Sequence, residues 1–155
     1  MDCLKPGRHR RWIGGWERNL ALNLRAPANM CRCAVAHFRT RGGGVVVNVT
    51  SRSAHRGDDI EHLAYGAAKG GLLALTRGMA RGLARERIYA YAVSPGWVAT
   101  DLAADEDLEA LAAALPMGEV TPPQEVATVV AFLASGSARH ATGTTIDITG
   151  ADYVR

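Results

Sequence analysis

The chain has 155 residues, 48% hydrophobic and 21% charged, with a formal net charge of +3 at pH 7. That is one domain's worth of ordinary globular composition. No apolar run reaches the roughly 20 residues that span a bilayer, so no membrane partner is expected. Residues 1–11 carry charge with no apolar stretch behind them, unlike a secretory signal. Arg8-His9-Arg10-Arg11 is basic, but elsewhere the positive charge is mixed with acids, so no nucleic-acid partner is expected either. The three cysteines, Cys3, Cys31 and Cys33, are odd in number and lack a disulfide framework. They suit a reducing compartment, and the expected location is cytoplasmic. Cys31 and Cys33 stand two apart on a predicted helix and point to opposite sides, so no metal site is expected.

Taken in chain order, residues 1–15 are basic and without period, and read as an irregular tail. Leu20, Leu24, Cys31, Val35 and Phe38 recur at helical spacing and predict a helix over 16–38, stopped by Gly42-Gly43-Gly44. Residues 45–49, β-branched and apolar apart from Asn48, read as a buried parallel strand. A loop follows over 51–61. Leu72, Leu75, Met79 and Leu83 form the apolar stripe of a second helix over 63–85. Its Arg77, Arg81 and Arg85 read as a solvated face. Gly70, Gly71, Gly78 and Gly82 cost helix propensity and would let another helix approach closely. Residues 89–93 predict a second strand, ended by Ser94-Pro95-Gly96. Acidic, Ala/Leu-rich residues 103–115 suggest a mobile helix, and Pro122-Pro123 starts another that runs to about Ala134. Residues 144–149 predict a third strand. Strands alternating with helices imply βαβ units and a parallel sheet, an α/β fold.

The chemistry centres on Tyr65 and Lys69. Four apart on a helix, they share a face. An ammonium beside a phenol favours the phenolate and would lower the tyrosine pKa, giving a general acid/base. Lys69 is the only lysine besides Lys5. Ser51 follows the first strand, at the carboxyl edge where parallel sheets bind ligands, with Thr50 and Ser53 as rivals by position. Asn23 precedes Pro27 by four residues. Proline gives that carbonyl no N–H, so the helix should kink there and leave the Asn23 carbonyl free for an ordered water. Beyond the Pro95-Gly96 turn, backbone groups and the Thr100 hydroxyl can hydrogen-bond a carboxamide.

Five segments in order carry a resemblance: Leu22-Asn23-Leu24-Arg25-Ala26-Pro27, Val47-Asn48-Val49-Thr50-Ser51, Tyr65-Gly66-Ala67-Ala68-Lys69-Gly70-Gly71, Ser94-Pro95-Gly96-Trp97-Val98-Ala99-Thr100-Asp101 and Thr142-Gly143-Thr144-Thr145-Ile146-Asp147-Ile148. Together they resemble the catalytic, C-terminal half of the short-chain dehydrogenase/reductase family, over residues 16–155. The resemblance implies part of a Rossmann-like, doubly wound parallel sheet of about three strands with flanking helices. It implies an NAD(P)-dependent oxidoreductase that moves hydride between nicotinamide and an alcohol or carbonyl substrate. Tyr65 would be the acid/base, Lys69 would lower its pKa and bond the nicotinamide ribose, and Ser51 would hold the substrate oxygen. Asn23 would anchor through its main chain the water linking Lys69 to solvent. Pro95, Gly96, Val98 and Thr100 would border the nicotinamide. Trp97, Arg52, His55 and residues 102–120 would lie near the substrate, and the helices over 16–38 and 63–85 would join homo-oligomers.

Departures from the family are clear. Nothing matches its strand, Thr-Gly-x-x-x-Gly-x-Gly turn and helix, which hold the pyrophosphate, and its Asn-Asn-Ala-Gly segment is absent. Choice between NAD and NADP lies in that region. The 45–49 strand would have one bare edge. Tyr91 stands where the family usually has asparagine. The expectation is therefore a truncated oxidoreductase with acid/base machinery and weak or no dinucleotide affinity. The alternative is an inactive remnant that serves as an interaction or oligomerisation module.

Overall fold

A computed structural model describes residues 6–100 and 107–155 of the chain. The first helix begins earlier than the periodicity implies. Helix α1 spans Pro6–Leu20, so residues 6–15 are helical and not irregular. Proline suits a first turn because its missing N–H would be unpartnered there anyway. Further along, Trp12 and Trp16, one turn apart, bring their rings to 5.3 Å, and α1 lies against α4 (Leu63–Leu83).

The expected distortion at Pro27 takes a definite form. A π-helical turn, Ala21–Arg25, separates α1 from α2 (Ala26–Arg41). There the Ala26 N–H donates to the Ala21 carbonyl, five residues back. Widening the turn is one way a helix absorbs a proline that cannot donate. Helix α2 ends at Gly42, left-handed at φ 77°. Cys31 is buried and Cys33 exposed, as opposite faces require.

Three parallel strands follow in the order β1-β2-β3: Gly44–Val49, Ile88–Pro95 and Thr145–Ile148. Strand β1 pairs from Gly44↔Ile88 to Val49↔Val93, and β3 pairs its Thr145 with Ala92. Among the described residues β1 has no neighbour on its other side. This bare edge explains why the apolar run is only half-buried, with Val49 44% exposed.

Alternation along the strands splits the core in two. Val46 and Ala90 face α2 and α4, where Cys31, Leu75 and Met79 pack. Val45, Val47, Tyr91 and Val93 face α6 (Pro123–Ala134), around fully buried Leu133. Tyr91 fills the interior on that side, and its hydroxyl donates to the Ala138 carbonyl at 2.9 Å. Buried Asn48 ties three elements together: its amide donates to Thr76 on α4 at 2.9 Å, and the Cys31 thiol of α2 points at its oxygen. Short helices α3 (Ser53–Arg56) and α5 (Leu108–Ala114) complete the fold. Of the helix expected over 103–115, the structure shows Leu108–Ala114, capped by Asp107, and residues 103–106 lie outside the described ones. No helix among the described residues is long and apolar enough to cross a membrane.

Of the α4 glycines, Gly71 makes the close approach: a Cβ there would sit 2.9 Å from Leu24 of the π turn, whereas Gly78 and Gly82 face open space. Gly78→Ala is expected to stabilise the fold by up to about 1 kcal/mol, the helix-propensity difference. Gly43 (φ 139°), whose Cβ would lie 2.7 Å from the Arg87 carbonyl oxygen, should lose more than about 1 kcal/mol as Gly43→Ala. Urea unfolding followed by far-UV dichroism checks both signs.

Candidate active site

Beyond Val49 the chain leaves β1 but keeps its ladder with β2. The Thr50 N–H donates to the Val93 carbonyl at 2.7 Å and the Arg52 N–H to the Pro95 carbonyl at 3.1 Å. Residues 50–52 are therefore fixed at the carboxyl edge of the sheet. The Thr50 hydroxyl also goes to the Val93 carbonyl, at 2.9 Å, which removes Thr50 as a rival to Ser51. The Ser51 hydroxyl oxygen accepts the Ser53 N–H at 3.2 Å. The Ser51 hydroxyl also favours ionisation of the Tyr65 phenol.

Tyr65 and Lys69 come to this edge on α4, and the Lys69 ammonium donates to the Val49 carbonyl at 3.0 Å. Its nitrogen lies 5.7 Å from the centre of the Tyr65 ring. A cleft of about 880 Å³ opens here, and Ser51, Tyr65, Lys69, Pro95, Gly96, Val98 and Thr100 all line it. The Gly96 N–H donates to the Ile148 carbonyl at 2.9 Å, and a Cβ on Gly96 would meet the Thr149 main chain at 3.2 Å. A bulkier residue would push the turn away from β3.

Asn23, expected to act through its main-chain carbonyl, does not line the cleft. It sits in the π turn and donates its side-chain amide to Asn19 at 3.2 Å. Asn19 lines the cleft instead, and only its spacing of four from Asn23 hinted at it. His55 does not line it either: its ring stacks on Tyr153, 6.0 Å between centres. The cleft's far side comes from Pro123 and Val126 of α6 and not from residues 107–120, while residues 101–106 lie outside the described ones. Arg52 and Trp97 do border it.

One expectation is overturned: proximity to Lys69 does not lower the Tyr65 pKa. Burial pushes the Tyr65 phenol above its usual value; nearby Asp58 adds to this, and the Ser51 hydrogen bond offsets part of it. Burial pushes the Lys69 ammonium down. Desolvation of the cleft thus outweighs the attraction that proximity alone suggests, since it disfavours both charged forms.

The residues here could hold one end of a nicotinamide dinucleotide. Lys69 has two ammonium hydrogens beyond the one on Val49 that could serve ribose hydroxyls. Around Val98, the Trp97 carbonyl and Ala99 N–H bond Thr121 at 3.1 Å each, in a parallel bridge. In such a bridge the central residue's own N–H and C=O point the other way, here available to a carboxamide. For the pyrophosphate the sequence offers no Gly-rich strand-to-helix turn.

Residues 12–150 match the family model described as Enoyl-(Acyl carrier protein) reductase. An uncharacterized short-chain type dehydrogenase/reductase of Sinorhizobium fredii is 32% identical, covering 87% of this chain and 55% of its own length. The chain belongs to the short-chain dehydrogenase/reductase family. Another short-chain relative, an acetoacetyl-CoA reductase of Rhizobium meliloti, is 34% identical over 89% of this chain and 58% of its own. The crystal structure of acetoin dehydrogenase from Salmonella typhimurium superposes with a TM-score of 0.79 at 28% identity, covering 89% of this chain and 55% of that one. The chain spans about half the length of the short-chain dehydrogenase/reductase relatives it matches.

The two pKa directions give opposite slopes. Tyr65, raised, contributes stability below its ordinary value of 10.0 that is lost as pH climbs through the raised value. Lys69, lowered, contributes stability above 10.5 that is lost as pH falls through its depressed value. Lys69→Met should therefore flatten the rise in stability on the acid side of 10.5. At pH 7 the variant should differ from the native chain by no more than about 3 kcal/mol, the upper worth of a hydrogen bond from a charged donor. Urea midpoints across pH test this.

Proposed function

We propose that this cleft is the reactive site of an NAD(P)-dependent oxidoreductase acting on a small alcohol or carbonyl substrate. The convergence of Ser51, Tyr65 and Lys69 on one cleft at the sheet's carboxyl edge supports the reading most. A substrate oxygen seated between Ser51 and Tyr65 would take a hydrogen bond from the serine. In reduction the Tyr65 phenol gives that oxygen its proton, and in oxidation it takes the proton back. Lys69, held at the Val49 carbonyl, supplies positive charge as negative charge develops on the phenol oxygen and offers its remaining hydrogens to ribose hydroxyls. Asn23 acts through its main-chain carbonyl, which Pro27 cannot reach with an N–H, as the anchor of a water leading toward Lys69. Pro95, Gly96, Val98 and Thr100 border the nicotinamide. When bound, the dinucleotide, NAD or NADP, supplies or accepts the hydride.

On this reading the protein is cytoplasmic and self-associating. Leu22 and Met30, 67% and 73% exposed, are apolar groups that a second copy could cover, and the open glycines of α4 leave room for it. A second reading is favoured by these exposed apolar groups: the chain acts as an interaction or oligomerisation module without turnover.

Titration with NADH and NADPH, followed by nicotinamide fluorescence, separates the two. Saturable binding with turnover of a carbonyl substrate would support the oxidoreductase reading, and Tyr65→Phe should then cut that turnover by about 10²–10⁴-fold with cofactor affinity little changed. Self-association without any nucleotide binding would favour the second reading. Turnover untouched by Tyr65→Phe would remove that residue from its role.

A further inference from the structure

Arg52, next to Ser51, is 8% exposed, so its guanidinium must find partners within the protein. It has two. One is a salt bridge to the carboxylate of Asp152. The other is the indole of Trp97, whose ring centre lies 5.6 Å from the guanidinium carbon, within cation–π reach. Arg52 and Trp97 both line the cleft, while Asp152 reaches it only through Arg52.

Asp152 is returned to Arg52 by a sharp reversal after β3. Its N–H donates to the Thr149 carbonyl at 3.1 Å, across Gly150 at φ 59° and Ala151 at φ 63°. Two successive left-handed residues match a type I′ turn. Glycine adopts that conformation freely, but alanine does so only at a cost. Further bonds hold the segment down. The Thr149 hydroxyl donates to the Tyr153 carbonyl at 3.0 Å, and Arg155 pairs with Asp147 at 2.8 Å. Tyr153 lies flat on His55, three residues beyond Arg52. Residues 149–155 thus clasp residues 52–55 from outside the cleft.

We propose that Arg52 and Asp152 are positioning residues for Trp97. The ion pair fixes the guanidinium, the guanidinium fixes the indole, and the indole forms the cleft wall beside the Pro95-Gly96 turn. A wall of this kind presents a flat apolar surface to whatever group flanks the reacting oxygen. That consequence for substrate choice rests on the reading of the cleft as the reactive site; the positioning does not.

Trp97 is one of three tryptophans, so the Trp12→Phe/Trp16→Phe chain reports on it alone. In that background, Arg52→Met and Asp152→Asn should each red-shift Trp97 emission and raise its acrylamide quenching constant about twofold, as the cation–π partner is lost or loosened. Far-UV dichroism should not change. The double variant should match either single one, because both act through one link. Arg52→Lys, which keeps the charge but not the planar group, should fall between. Unchanged emission and quenching in both single variants would overturn the proposal, and so would effects that add in the double variant. Should Arg52→Met fail to fold, Asp152→Asn, which keeps the side chain's shape, decides by itself. No cofactor is needed, so failure here is distinct from failure of the oxidoreductase reading.

Discussion

The structure depends on a β-ladder that outlasts its strand. Residues 50–52 leave β1 yet remain bonded to the Val93 and Pro95 carbonyls of β2. That continuation removes the freedom a loop would otherwise have at the carboxyl edge of the sheet. It fixes Ser51 beside Tyr65 and spends the Thr50 hydroxyl. It also starts Arg52 toward Trp97. From the opposite side, the Lys69 ammonium bonds the last carbonyl of the same strand, so α4 and β1 share one anchor. The edge of a parallel sheet is a common place for a ligand. Here the ladder makes it a rigid one.

Dryness has a second effect on the same residues. The burial that positions Tyr65 and Lys69 also favours their neutral forms, and the phenol's nearest polar help comes from Ser51. A neutral tyrosine is a proton donor, which suits the reduction of a carbonyl. In the proposed reaction its conjugate base would need stabilising as it forms, and Lys69 would be the cation for that task. Electrostatics of this kind act most strongly where water is excluded.

Much of this was legible in the sequence. Periodicity found all three strands and the main helices, because β-branched runs and apolar stripes report burial directly. The spacing of Tyr65 and Lys69 located one wall of the cleft, since four residues on a regular helix share a face. Asn23 and Pro27 predicted a distortion, but not its consequence. A π turn carries an extra residue, which rotates everything before it by about 100° relative to a regular helix. The helix face toward the cleft therefore includes Asn19, and no count from Asn23 along a regular helix could establish that. The start of α1 was hidden because its arginines and glycines carry no apolar period, and its visible packing begins at Trp12. Nor could residue spacing weigh desolvation against attraction at Tyr65, because burial depends on elements distant in sequence. Tyr91 shows the same limit: its place between β2 and α6, bonded to Ala138, follows from a tertiary neighbour.

The sheet's pairing has a kinetic corollary. Gly44 meets Ile88, and Ala92 meets Thr145, so each ladder closes a long loop before any contact within it compensates the lost chain entropy. Helix α4, by contrast, is local and can sample its form early, with Tyr65 and Lys69 already one turn apart. The cleft needs the ends of both ladders and the turn after β3, three stretches with no local reason to meet. Its assembly is thus expected late in folding.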